Sequence, residues 1–100
     1  MEEQYKIIVT DRDRYEAMKH KFDGSEPESL ICNCIVAQAI KNRFPTVSSY
    51  GLAIYTVDCV IGDDRFNIDE NGQAITRCPP ENWPLLALPV EITLTMCNAN

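Results

Sequence analysis

Positive charge is scarce in this chain: of 100 residues, 9 are Lys or Arg and 15 are Asp or Glu, a formal net charge of −6. A chain this acidic repels a phosphate backbone, so direct nucleic-acid binding is not expected as its main activity. Histidine occurs once, at His20, so any Cys–His nucleophilic pair would have to use it. His20 is flanked by Lys19 and Lys21, which reads as a solvated helix face. The G-x-S-x-G, P-loop and G-x-G-x-x-G patterns are missing as well, and no enzymatic activity is expected. No apolar run approaches the ~20 residues that cross a bilayer. The opening Met1-Glu2-Glu3-Gln4 is acidic and lacks the basic-then-apolar pattern of a secretory leader, from which a cytoplasmic protein is expected.

What is present suits one folded unit. Hydrophobic residues make up 45% and charged residues 24%, ordinary values for a globular domain, and the length predicts a single domain over 1–100. Five cysteines stand at positions 32, 34, 59, 78 and 97. An odd number without an export signal predicts free thiols, most of them buried as small hydrophobes. The pair Cys32-Asn33-Cys34 could seed a zinc site completed by Cys59, Cys78 or His20, but no C-x₂₋₄-C knuckle exists, and no metal or cofactor is expected.

Residues 5–10, Tyr-Lys-Ile-Ile-Val-Thr, are β-branched and apolar and predict a first strand. Thr10 or Asp11 can cap a helix running through about His20, with Asp11 and Asp13 in its first turn. Its expected buried stripe is Tyr15, Met18 and Phe22. A longer helix is predicted from Ser25 to Arg43, with Pro27 near its start and Pro45 beyond its end. From Leu30 to Ile40 only Asn33 and Gln38 are polar, so this helix should be covered on more than one side, by the sheet and by a helix, a loop or another subunit.

The second half reads as β structure. Thr46 to Tyr50 predicts a short strand and Leu52 to Ile61 a long one, central because both of its faces are largely apolar. Gly62-Asp63-Asp64 is a turn, residues 65–68 return as a partner strand, and Asp69-Glu70-Asn71-Gly72 is expected to be a further turn. The segment from Cys78 to Pro89 holds four prolines and predicts an irregular connection with one helical turn near Trp83. Val90, Ile92, Leu94 and Met96 alternate with polar residues as a half-buried strand, followed by a polar tail. The expected fold is α+β: an antiparallel sheet of four to five strands against one long buried helix, plus a shorter N-terminal helix.

Three features bear on function. Residues 67–72 match the first half of an EF-hand loop, but the twelfth loop position falls on Cys78 where a bidentate Glu belongs, and a turn with positive φ at Gly72 accounts for the same residues. Residues 1–50 carry a net charge of −1 and residues 51–100 a net charge of −5. Asp58, Asp63, Asp64, Asp69 and Glu70 concentrate that charge around the single Arg65 and are the candidate contact residues for a basic protein partner; the alternative is a charged edge that keeps strands from aggregating. Trp83 in its proline-rich loop is the candidate apolar anchor, or equally a lid on the core.

Residues 34–43, Cys-Ile-Val-Ala-Gln-Ala-Ile-Lys-Asn-Arg, resemble a helix that recurs in small uncharacterised proteins of bacteriophages and mobile elements. There the pattern is Cys-Pro-[Val/Ile]-Ala-x-Ala-[Leu/Ile], after a short strand and before a β-meander; here Ile35 stands in place of the proline, and the likeness covers about residues 5–70. The resemblance implies a small phage-type protein acting in the bacterial cytoplasm and brings no catalytic residues. The expected function is binding to a basic host protein or complex, as an anti-CRISPR-like inhibitor of a defence or nucleic-acid-handling machine. The alternatives are an oligomeric protein, such as a homodimer, that binds a nucleotide signal, and an assembly protein without a ligand.

Overall fold

The computed structural model describes residues 3–22, 34–47 and 51–97. Five antiparallel strands form one sheet in the order β1-β5-β4-β3-β2, and the fold is α+β. The strands are β1 (Gln4–Val9), β2 (Leu52–Ile54), β3 (Asp58–Ile61), β4 (Asp64–Ile68) and β5 (Val90–Met96). The helices are α1 (Asp11–Phe22), α2 (Ile35–Arg43), α3 (Glu70–Arg77) and a 3₁₀ helix at Pro80–Leu85. Among the described residues no helix is long and apolar enough to cross a membrane.

The last strand completes the sheet. β5 pairs with β1 from Gln4↔Thr95 to Val9↔Val90 and with β4 through Phe66↔Met96 and Ile68↔Leu94. The strand alternation then defines two faces. Ile7, Val9, Cys59, Phe66, Ile68, Ile92 and Leu94 point into the core. Tyr5 joins this face, edge-on to Phe66 at 5.7 Å and to Phe44 at 5.4 Å. The other face is polar, crossed by Lys6–Glu91 at 3.5 Å and Arg65–Asp58 at 3.9 Å.

The long strand predicted over Leu52–Ile61 is two strands. Tyr55 N–H bonds the Asp58 carbonyl at 2.9 Å, and Thr56-Val57 form the tip of a hairpin. Its register sets Leu52 opposite Ile61 and Ile54 opposite Cys59. Even-numbered residues of β2 thus share a face with odd-numbered residues of β3, which is why the run reads as apolar on both faces. β2 lies at the sheet edge instead of its centre. The next turn follows expectation: Ile61 pairs with Asp64 across Gly62-Asp63, and Gly62 takes the left-handed φ of +65° that glycine adopts freely. Of the strand predicted over Thr46–Tyr50, Thr46 sits in a turn and residues 48–50 lie outside the described residues, as does the polar tail.

α1 starts as predicted, but its buried stripe does not. Asp13 and Ala17 face inward and Met18 packs half-buried on the core as expected, while Tyr15 is exposed; the side chain of Phe22 lies outside the described residues. Asp13, only 1% exposed, closes a capping box. Its Oδ2 accepts from the Thr10 N–H at 2.8 Å and the Thr10 hydroxyl at 3.1 Å, and its Oδ1 accepts from Asn42 Nδ2 at 2.6 Å. The polar pairing overrides the hydrophobic count, because a buried carboxylate must be hydrogen-bonded whereas one tyrosine can remain in water.

The single long helix predicted over Ser25–Arg43 is not what the described residues form. Cys34 is extended (φ −70°, ψ 177°), so α2 begins at Ile35 and spans 9 residues; positions 23–33 lie outside the described residues. Within α2 the expected cover on several sides does occur, and Ile35, Val36, Ala37, Gln38, Ala39 and Ile40 are all buried.

Cys59 is fully buried, and burial, with the charge of Asp58 beside it, pushes its thiol up to about 12. A thiol whose ionisation is suppressed by folding binds a proton in the native chain after the unfolded chain has lost it, so stability falls as pH rises above about 9. Cys59→Val is expected to lose less stability over that window, the wild type falling by up to about 1.4 kcal/mol more per pH unit; urea melts at pH 7 and pH 10 measure it. Asp13→Ala is expected to cost about 2 kcal/mol in the same melts at neutral pH, through the lost cap and the stranded Asn42 amide. A loss below about 0.5 kcal/mol contradicts that role.

Candidate functional site

The sequence-predicted carboxylates are spread along the β3–β4 hairpin and do not form one cluster. Asp63 and Asp64 are exposed at its tip. Asp58 lies at the opposite end of β3, about 10 Å along the strand, and pairs with Arg65. Asp69 and Glu70 follow β4, and their predicted turn is the start of α3. Asp69 caps that helix, its Oδ1 accepting from the Gly72 N–H at 2.9 Å, and Glu70 occupies the first turn, where a carboxylate complements the helix dipole. Asn71-Gly72 therefore begins a helix instead of a hairpin, and Gly72 has no positive φ. The Asn-Gly pair is outweighed because Asp69 supplies the cap and Gly72 the room for close packing.

Trp83 takes the second of its two expected roles. It is 3% exposed, packs in the core, and donates its indole N–H to the Cys78 carbonyl at 3.1 Å. A partner could not use it as an anchor without opening the 3₁₀ helix. Arg14 holds that helix from behind, its Nη1 donating to the Leu86 carbonyl at 2.7 Å and the Trp83 carbonyl at 3.2 Å.

Among the described residues there is a cleft of about 240 Å³ whose lining includes the aromatic side chains of Tyr55 and Trp83. One wall is the start of α2 with Cys34, Ile35 and Val36; another is the end of β2 and its turn, with Ile54, Tyr55 and Thr56. Ile75, Thr76 and Cys78 of α3 and its C-terminal end, with Pro80 and Trp83, close the third side. Thr76 Oγ1 lies 2.8 Å from the Thr56 carbonyl and 3.0 Å from the Gln73 carbonyl, so its single hydroxyl proton is used within the protein and ties α3 to the β2–β3 turn. No signal in the sequence marks this cleft, because its walls come from four segments brought together only by the fold.

Among the described residues the lining contains two thiols and neither a histidine nor a charged side chain. Burial, and the nearby Glu81 charge, raise the Cys78 thiol above its ordinary value, which keeps it protonated and poorly nucleophilic at neutral pH. Of the four described cysteines, only Cys59 is fully buried; Cys34, Cys78 and Cys97 are half-buried, fewer buried thiols than expected. Among the described residues no group of three His, Cys, Asp or Glu is placed to hold a metal ion; Cys32 and the side chain of His20 lie outside them.

Compared with family models, curated proteins and solved structures, the chain matches none.

The packing of α3 beneath the cleft gives a test of sign. A Cβ at Gly72 would collide with Ile68 Cγ2, a buried β-branched side chain with little room to move. Alanine is the better helix former by about 1 kcal/mol, so an unhindered Gly72→Ala would stabilise. Here a net loss of about 1–3 kcal/mol is expected from the overpacking, measured by thermal melting. A gain would contradict the close approach of α3 to β4.

Proposed function

We propose that this protein binds a small molecule, without catalysis, in the cleft between α2, α3 and the β2–β3 turn. The observation that carries this reading is the cleft itself: a concavity of about 240 Å³ walled by Ile35, Val36, Ile54, Ile75 and Trp83, with a few polar atoms at its rim. Binding sites for small ligands have this character, mostly apolar walls with a few fixed polar groups. Covalent catalysis is disfavoured because the Cys78 thiol is held protonated and no basic side chain lines the cleft. In this reading the likeness of α2 to helices of phage proteins gives the setting, a bacterial cytoplasm, and the ligand is a small molecule available there.

A second reading, contact with a basic host protein in the manner of an anti-CRISPR inhibitor, is supported by Asp63 and Asp64, which stand adjacent and exposed at the hairpin tip, with Glu70 exposed apart from them at the start of α3. Asp58 and Asp69 have structural partners instead. Asp63→Asn with Asp64→Asn tests it, since salt-sensitive capture of a basic protein that survives the double change removes the support.

The cleft reading is tested by thermal shift against a panel of small metabolites, comparing wild type with Thr56→Phe. Thr56 is exposed on the turn at the cleft mouth, so the larger ring obstructs entry without disturbing the core. A ligand at about 100 times its Kd adds about 2.7 kcal/mol, which raises Tm by roughly 10 °C or more in a domain of this size. Such a shift in the wild type, lost in Thr56→Phe, is expected; equal shifts in both place the ligand elsewhere.

A further inference from the structure

From the chemistry of its walls, we infer that the cleft takes a small, uncharged, largely apolar molecule of one or two rings, and not a nucleotide. This rests on the cleft being the binding site. It narrows the class of ligand from three independent observations.

The first is charge. Among the described residues, those lining the cleft include no Lys, Arg or His. Recognition of a phosphate or carboxylate in a partly desolvated site ordinarily draws on a cation or a fork of charged donors. The chain as a whole carries a net charge of −6, so its long-range field also repels an anion. Among the described residues Asp and Glu are absent from the lining too, so a cationic ligand would find no counter-charge from them.

The second is the use already made of the polar groups. The indole N–H of Trp83 is donated to the Cys78 carbonyl, and the Thr76 hydroxyl is within bonding distance of the carbonyls of Thr56 and Gln73. Neither of these two donors is left for a ligand, so the side-chain hydroxyls in the lining that a ligand could use are those of Tyr55 and Thr56. A ligand dense in hydrogen-bonding groups would lose its water without recovering those bonds.

The third is size. A cavity of roughly 150 Å³ lined by aliphatic side chains holds benzene, and pockets for drug-sized ligands run from about 300 Å³ upward. The cleft, at about 240 Å³, lies between the two. Within its walls it has room for one ring with a substituent or two fused rings, and a nucleotide would extend beyond them.

The protein contains a single tryptophan, and it forms part of the cleft wall. Trp83 emission therefore reports occupancy directly. The test titrates the full chain with toluene and, separately, with adenosine monophosphate, exciting at the red edge of the indole band. Toluene is expected to change the emission saturably, with a Kd at least tenfold weaker in Thr56→Phe, and adenosine monophosphate to leave it unchanged at the same concentrations. A saturable response to adenosine monophosphate, abolished by Thr56→Phe, overturns the inference about ligand class and leaves the cleft as a binding site. If neither probe gives a response, the inference falls; a metabolite that still raises Tm only in the wild type then shows that the cleft reading has survived it. If Thr56→Phe does not fold, the methyl resonances of Ile54 and Ile75 replace it. Toluene-induced shifts concentrated on those methyls support the inference, and shifts concentrated elsewhere overturn it.

Discussion

The Asp13 carboxylate joins the junction of β1 and α1 to α2. Its oxygens accept from the backbone and side chain of Thr10, where β1 turns into α1, and from Asn42 near the end of α2. One buried side chain thus ties the start of α1 to α2, beside the apolar packing of Ala17 and Met18 on the same core. The neighbouring Arg14, one residue on, reaches the other way to the carbonyls around Trp83 and Leu86, and is itself paired with Asp11. The first two turns of α1 thus set both α2 and the 3₁₀ helix, which contribute opposite walls of the cleft. Both contacts carry charge, and both are shielded from water on the protein side, where such bonds are stronger than their exposed equivalents.

The sheet solves a different problem, the protection of its edges. β2 has only 3 residues, and a short edge strand offers little backbone for unwanted pairing. The opposite edge, β1, is longer but places Lys6 on the solvent face in an ion pair with Glu91. Between them the longest strand, β5, lies next to β1 although the two are at opposite ends of the sequence. The core therefore closes only when the C-terminal strand arrives, and loop-closure entropy makes that a late, costly contact.

How much of this was legible depended on whether the signal was local. β1, the start of α1, the Gly62-Asp63 turn, the helical turn at Trp83 and the alternation of β5 were all readable, because period, cap or turn chemistry decides each within a few residues. The β2–β3 hairpin was not, since its two-residue tip exchanges odd for even positions and leaves a continuous apolar run that matches a buried strand equally well. α3 was misread because Asn71-Gly72 signals a hairpin locally, while the packing of Gly72 against Ile68 that favours a helix is visible only in three dimensions. Tyr15 shows the same limit: spacing marks a stripe, but the demand of Asp13 for partners turns the helix away from it. Of the candidate site residues, the carboxylates could be found but not their separation along the hairpin, and the cleft left no trace in the sequence.

The thiols connect composition to function in a way neither shows alone. A cysteine kept protonated is a small, soft, weakly polar side chain, suited to a wall that must be apolar without being bulky. Burial and the charge of Glu81 raise the Cys78 thiol, and it lines the cleft together with Cys34 and the aliphatic start of α2. Substituting larger aliphatic side chains at these two positions would fill the space they border, and substituting charged ones would require counter-ions that the lining does not contain. Among the described residues the lining has no charged side chain, so the acidic composition and the cleft act in the same direction: anions are repelled at long range and meet no cationic side chain at short range.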